Sequence, residues 1–302
     1  MRPVLTVFTP AYNRAHTLPE TYLSLCRQDC RDFVWLVIDD GSSDGTGDLV
    51  RGWMEEGCGF EIRYIYKENG GMHTAHNTAY ENIDTELNVC IDSDDRMAPG
   101  AVRRILDFWE IHRGDRSVAG IIGLDADLSG KVIGTAFEEG LSYTTLSGFY
   151  AGGGRGDKKL VYRTGIMKSL PPYPVFPGEK YGSLAYKYLL CDQEYRLAIL
   201  NEVLCLVDYQ PDGSTGTMFR QYLANPRGWA FTRKTDMLYP AGKRRLLMTG
   251  IHYCSSSIIA RNIHFLSESP RKLLTLLCLP AGLALTEYIR FMDWKQRGRK
   301  GK

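Results

Sequence analysis

Between Val4 and His112 the chain switches repeatedly between two hydrophobic periods. VLTVFT (Val4–Thr9), FVWLVID (Phe33–Asp39), IRYIY (Ile62–Tyr66) and LNVCID (Leu87–Asp92) are short, almost continuous apolar runs. Such runs become strands covered on both faces. Between them apolar positions recur every three or four residues. Thr17–Gln28 puts Leu18, Tyr22, Leu25 and Cys26 on one stripe, and Asp48–Glu56 does the same with Leu49, Val50 and Trp53. Helices are also predicted over about His73–Asn82 and Pro99–His112. Strands alternating with helices predict an α/β fold with a mostly parallel sheet flanked by helices.

The middle of the chain is less regular. AGIIGLDADL, VIGTAF and LVYRTG predict strands, and Tyr150–Lys159 a flexible loop. The four prolines of Pro171–Gly182 exclude a helix there. SLAYKYLLCDQEYRLAIL then predicts one long helix and EVLCLVDY a strand. From about Thr217 the pattern is helical, around Trp229 and over Lys243–Phe265. No internal repeat or low-complexity tract is present.

The last segment changes the picture of where the protein works. Leu273–Thr286 carries no charge but holds only 14 residues, interrupted by Pro280 and Gly282. A bilayer span needs about 20. From Arg290 to Lys302 six basic residues stand against Asp293. An apolar run with a basic, aromatic flank predicts a helix lying in a membrane interface, at about 1 kcal/mol per basic residue near an anionic leaflet. A packing helix with a solvated tail is the alternative.

Composition adds exclusions. With 24% charged and 44% hydrophobic residues the 302-residue chain is not a disordered one. A net charge of +2 supplies no field for a nucleic-acid partner. Eight cysteines are scattered, several within apolar runs (Cys90, Cys205), which predicts buried free thiols in a reducing compartment and no disulfide framework or zinc site. The opening MRPVLTVFTPAYN leads straight into a strand pattern and lacks the features of a signal peptide.

Candidate chemistry sits where the strands end. Asp92-Ser93-Asp94-Asp95 follows the fourth strand. Ligands of open α/β sheets bind at the carboxyl ends of the strands. Crowded carboxylates repel one another, and a hard divalent ion removes that cost, so Asp92, Asp94 and Asp95 are candidate ligands for Mn²⁺ or Mg²⁺. A solvated acidic turn is the bland alternative. Thr9-Pro10-Ala11-Tyr12-Asn13 offers backbone groups and an aromatic face to a flat base. Asp40, in the turn Asp39-Asp40-Gly41-Ser42, can accept a base N–H. Lys67–Asn77 (KENGGMHTAHN) places two glycines before a helix start, which favours anions. Its spacing matches neither a dinucleotide fingerprint nor a P-loop. His73 and His76 in it are either functional or ordinary solvated helix residues.

TVFTPAYNR, VWLVIDDGSSDGT, KENGGMHTAHN and CIDSDDR, in this order, resemble the inverting glycosyltransferases of family 2, of bacterial surface-polysaccharide type. The resemblance covers about residues 4–110. It implies the GT-A fold: a catalytic domain over 1–215, with a donor half of about 1–110 and an acceptor half of about 111–215, before a helical region over 216–302. It implies that Thr9, Ala11, Tyr12, Asn13 and Asp40 hold a nucleobase, usually uracil. Asn69, Gly70 and Asn77 would line the donor pocket, with Asp92, Ser93 and Asp94 at the ribose-diphosphate and metal. It implies a metal-dependent, non-processive transfer from a UDP-sugar to a lipid-linked or surface-polysaccharide acceptor. It also implies a cytoplasmic protein, peripheral on the inner face of the cell membrane. The family's base is an acceptor-side carboxylate, often in an E-D pair at a helix start. Here the nearest match is Glu179, followed by Lys180; Asp192 with Glu194 is a second candidate. The Q-x-x-R-W motif of processive members is absent. Tyr209–Ser214 resembles a late motif whose role would be to close over the donor phosphates. A sugar nucleotidyltransferase and a non-catalytic membrane partner are the competing classes. Against the first, TPAYNRAH lacks the Gly-rich basic opening that such enzymes usually carry after the first strand.

Overall fold

A computed structural model of the chain describes residues 3–209, 218–240 and 242–300. In chain order the elements are β1 (Leu5–Ala11), α1 (Leu18–Cys26), β2 (Phe33–Asp39), α2 (Thr46–Glu56), β3 (Glu61–Tyr66), α3 (Met72–Asn82), β4 (Leu87–Cys90), β5 (Arg96–Met97), α4 (Ala101–His112), β6 (Val118–Asp127), β7 (Tyr143–Thr144), α5 (Leu146–Ala151), β8 (Lys158–Arg163), α6 (Thr164–Ser169), α7 (Ala185–Cys191), β9 (Arg196–Val207), α8 (Met218–Ala224), α9 (Pro226–Leu238), α10 (Lys243–Ile259), α11 (Phe265–Glu268) and α12 (Lys272–Lys300). Two compact units result: Met1–Pro172 with Lys187–Gln210, and Tyr173–Tyr186 with Pro211–Lys302. The Pro-rich segment that holds Glu179 thus groups with the C-terminal helices.

The first unit is built on one sheet of order β3-β2-β1-β4-β8-β6-β9-β5, with β7 on β9. β1, β2, β3 and β4 are mutually parallel. β8 runs antiparallel to β4 and β6, and β6 is parallel to β9. Every residue of β1 and β2 is buried, which is why their sequences are continuous apolar runs rather than alternating ones. Tyr22 of α1 stacks on Trp53 of α2 at 4.3 Å between centroids, and both lie against Trp35. The indole N–H of Trp35 donates to Thr9 Oγ1 (3.0 Å), so the buried polar atoms pair.

Three expectations are corrected. The long helix expected over residues 183–200 ends at Cys191, and Arg196–Val207 is the strand β9. Leu and Ala favour helix only weakly, and pairing of Leu197, Ala198 and Ile199 with β6 overrides that preference. VIGTAF forms no strand; Val132 makes only an isolated bridge to Ala126. Pro280 and Gly282 do not break the last helix: α12 continues through them. Pro280 lies on its exposed side, where the missing backbone bond faces away from any partner helix. Of the Tyr209–Ser214 motif only Tyr209 lies within the described residues.

Candidate functional site

The parallel strands deliver their carboxyl-end turns to one edge of the sheet, and backbone bonds join the turns. The Asp40 N–H donates to Ala11 O (2.8 Å), the Lys67 N–H to Asp39 O (2.9 Å) and the Ile91 N–H to Phe8 O (3.0 Å). Asn13 adopts a left-handed φ of 54°, a conformation that asparagine tolerates better than most side chains. There its Oδ1 accepts from Ser43 N–H (2.8 Å) and its own N–H reaches Ser42 Oγ (2.9 Å), tying the first turn to the second. Tyr12 stands 49% exposed beside this junction, while Thr9 and Ala11 are buried.

Asp40 is the centre of the second junction. Its carboxylate is buried and accepts from Lys67 Nζ (2.5 Å), Gly70 N–H (3.0 Å) and Gly71 N–H (2.8 Å). A carboxylate offers about four lone-pair positions. Three are therefore used in holding the Lys67–Gly71 loop, and one is left for a ligand. Lys67 also donates to Thr74 Oγ1 (2.8 Å) and Glu68 O (2.6 Å). Gly41 has φ +83°, and a Cβ there would lie 2.7 Å from the Asn69 backbone nitrogen, so only glycine lets the two loops meet this closely. Asn69 and Gly70 are half-buried on this loop, and Asn77 is half-buried one turn into α3.

His73 and His76 are not solvated helix residues. Both are 1% exposed. Burial, with lesser contributions from His73 and Lys187, holds His76 down to about 3, and its ring packs edge-on against Phe8 at 5.0 Å. Burial also lowers the His73 pKa. Both imidazoles are neutral at physiological pH.

The acidic turn divides its labour. Asp92 and Asp94 are half-buried at the strand end, and Ser93 between them is buried. Burial, then the Asp92 charge, raises the Asp94 carboxyl, with Arg14 opposing. Asp95 turns the other way. Its carboxylate accepts from Asp208 N–H (3.2 Å) and Cys205 S–H (3.7 Å), anchoring the end of β9. Burial pushes it up to about 7, against the pull of Lys159. Among the described residues no three His, Cys, Asp or Glu side chains form a ready cage. Mg²⁺ and Mn²⁺ do not need one, since they bind through one or two carboxylates and complete their shell with water and substrate phosphates. The donor set at Asp92 and Asp94 fits that chemistry.

Sequence reasoning missed Lys159 and Asp125. Lys159 Nζ lies 3.9 Å from Asp125 Oδ1 and donates to Cys90 O (3.4 Å) beneath the acidic turn. Nearby carboxylates raise its pKa against burial, so it is a fixed cation under the corner. The available signal was a lysine on the apolar side of KKLVYR. Of the acceptor-side candidates, Glu179 and Asp192 are engaged. In the second unit Glu179 Oε1 accepts from Arg227 N–H (3.0 Å) and Nε (2.9 Å), and Oε2 from Gly228 N–H (2.8 Å), at the N-terminus of α9. Lys180 N–H donates to Asn225 Oδ1 (2.8 Å). In the first unit Asp192 lies just beyond α7 and accepts from Leu146 N–H (3.2 Å) and Ser147 N–H (2.7 Å) at the start of α5, and Glu194 is exposed.

Comparison with known proteins matches the sequence to a family. The model of Glycosyl transferase family 2 matches residues 6–163, just over half of the chain. Glycosyltransferase GlyA of Streptococcus pneumoniae is 32% identical over 91 residues, 30% of this chain and 13% of that protein. Undecaprenyl-phosphate 4-deoxy-4-formamido-L-arabinose transferase of Serratia proteamaculans is 26% identical over 109 residues, 35% of this chain and 33% of that one. The chain thus spans less than half the length of these curated relatives. The fold is shared with S. aureus TarS 1-349 in complex with UDP-GlcNAc (TM-score 0.61, 16% identity, 100% of this chain and 93% of that one). It is shared also with the mannosyltransferase PcManGT of Pyrobaculum calidifontis in complex with GDP-Man and Mn²⁺ (TM-score 0.56, 18% identity, 98% and 85%).

Proposed function

Since the chain belongs to glycosyl transferase family 2, we propose that it moves one sugar at a time from a UDP-sugar to a hydroxyl of a lipid-linked saccharide at the inner face of the cell membrane. The carrying observation is the joined edge of four turns, where Tyr12 stands 49% exposed, Asp94 is an open carboxylate and Asp92 beside it accepts from Cys90 S–H (3.7 Å). The neighbour with UDP-GlcNAc supports the donor class, and the relative named for undecaprenyl phosphate supports the acceptor class.

In this reading the base stacks on Tyr12 and uses the last lone pair of Asp40, while the Lys67–Gly71 loop closes the pocket beside Asn69, Gly70 and Asn77. Asp92 and Asp94 would hold Mn²⁺ or Mg²⁺, which supplies Lewis-acid relief of the charge on the leaving diphosphate. Lys159, fixed beneath the turn, lies against Asp125 and opposes the rise of the Asp95 carboxyl. Glu179 is the proposed base. The free lone pair on Oε2 takes the acceptor's proton as its oxygen attacks C1 from the face opposite the diphosphate, and the anomeric centre inverts. The absent Q-x-x-R-W motif supports single transfers.

Calorimetry of UDP binding with and without Mn²⁺ tests the donor side. Asp94→Ala should abolish the metal-dependent part of the affinity. Unchanged affinity in that variant refutes the assignment.

A further inference from the structure

Helix α12 is inverted relative to an ordinary surface helix. Its inner stripe is Thr275, Cys278, Gly282, Thr286, Ile289 and Asp293, all buried. Its outer stripe holds Leu273, Leu276, Leu277 and Leu283, exposed by 71, 53, 71 and 51%. Water favours the reverse, leucine inward and small polar residues outward. The inner stripe is closed by α10. A Cβ on Gly282 would lie 2.4 Å from Cys254 Cβ, and one on Gly250 2.9 Å from Cys278 Sγ. Thr286 Oγ1 donates to Ser255 Oγ (3.0 Å). The contacts ascend together, 250 with 278, 254 with 282 and 255 with 286, so the two helices run parallel and start at the same end. At that end α10 carries exposed Lys243, Arg244 and Arg245 beside exposed Leu247 and Met248, and α12 begins with exposed Lys272.

We propose that the parallel pair α10–α12 is a preformed docking face for a lipid leaflet rich in anionic headgroups, lying in the plane of the interface. The proposal builds on the membrane-side reading above and names the surface and the lipid class. The leucines match an acyl interior, and the basic start of both helices matches acidic phosphates. Exposed Tyr288, Phe291 and Trp294 continue the stripe, as aromatic residues do at headgroup depth. The whole of Lys272–Arg297 is long and apolar enough to cross a membrane by length and composition. Its uncharged part is not. The 14 residues Leu273–Thr286 rise about 21 Å, against a hydrocarbon core of about 30 Å. Glu287, Arg290 and Asp293 follow at once, and α10 already covers one side. These features place the pair on the membrane and not through it.

Flotation of the full chain with vesicles tests this. The vesicles are phosphatidylcholine alone, or phosphatidylcholine mixed with phosphatidylglycerol. Wild type should float with the mixed vesicles. Leu273→Gln with Leu276→Gln and Leu277→Gln should weaken partition about tenfold or more, since each change trades buried apolar area for a polar amide. Lys243→Gln with Arg244→Gln and Arg245→Gln should weaken it about a hundredfold, at about fivefold per basic residue, on the anionic vesicles only. All six positions are on the surface, and unchanged far-UV circular dichroism and melting temperature in both variants confirm the fold. Three outcomes overturn the proposal. Wild type stays unbound, or both variants float like wild type, or light scattering shows a dimer that the leucine variant dissociates without altering flotation. Wild type that floats but binds no UDP overturns the proposed reaction and leaves this face standing.

Discussion

The joint between Asp40 and Lys67 makes the most quantitative prediction. Asp40→Asn removes the charge from a side chain 6% exposed, against a lysine 20% exposed. The amide keeps one acceptor oxygen, and its NH₂ is left facing a donor, either Lys67 Nζ or Gly71 N–H. Breaking a fully buried pair costs about 3–5 kcal/mol. Lys67 retains Thr74 Oγ1 and Glu68 O and some solvent, so the cost here falls to about 2–3 kcal/mol. For a unit of roughly 200 residues, each kcal/mol moves Tm by about 2–4 °C, so the variant should melt about 5–10 °C lower. Lys67→Met removes the unpaired cation, and the double variant should recover at least about 1 kcal/mol of the summed single losses. Thermal and urea melts of the four proteins read this directly. UDP affinity should fall in Asp40→Asn, because the Gly70–Gly71 backbone is no longer held. Single losses that simply add within about 0.3 kcal/mol would show that the pair is not coupled, and the joined-loop reasoning would be wrong.

Other consequences are testable in the same assays. Glu179→Gln should lower kcat by about 10²–10⁴ with UDP affinity intact, and it should also destabilise the second unit, because three donors lose a charged acceptor; a lower melting point with unchanged kcat makes Glu179 a helix anchor only. His76 is held at about 3, below the ordinary 6.5, so its contribution to stability is complete above pH 6.5 and drains away as pH falls toward 3. That is a loss of about 2 kcal/mol by pH 5. Wild type should therefore lose stability between pH 6.5 and 5 more steeply than His76→Phe, and parallel urea-midpoint slopes would contradict this. Gly41→Ala places a Cβ 2.7 Å from Asn69 N at φ +83° and should cost stability and UDP affinity together; a neutral effect on both would mean the loops do not meet.

The donor half was legible because its information is local. Continuous apolar runs announced β1, β2 and β4, and the rule that parallel neighbours share a carboxyl edge is enough to bring Thr9–Asn13, Asp40 and Asp92–Asp95 together. What each of those side chains does on that edge was not legible. Asp94 and Asp95 are adjacent and chemically identical, yet one stays open while the other turns in to hold Asp208 and Cys205. Only the position of β9 decides this, and while Glu202–Val207 reads as a strand in the sequence, the first half of β9 hides in a segment of helix-forming composition. Lys159 and Asp125 sit 34 residues apart and become partners only because β8 and β6 are neighbours. Glu179 meets α9 across 48 residues. At the other end of the chain, composition marked an apolar, basic segment, but not which side of it faces out. That depended on Gly250 and Gly282, whose missing side chains let α10 seal the polar stripe of α12 and leave its leucines outside. Backbone periodicity is a property of a segment, whereas the burial and partner of a given side chain belong to whatever packs against it.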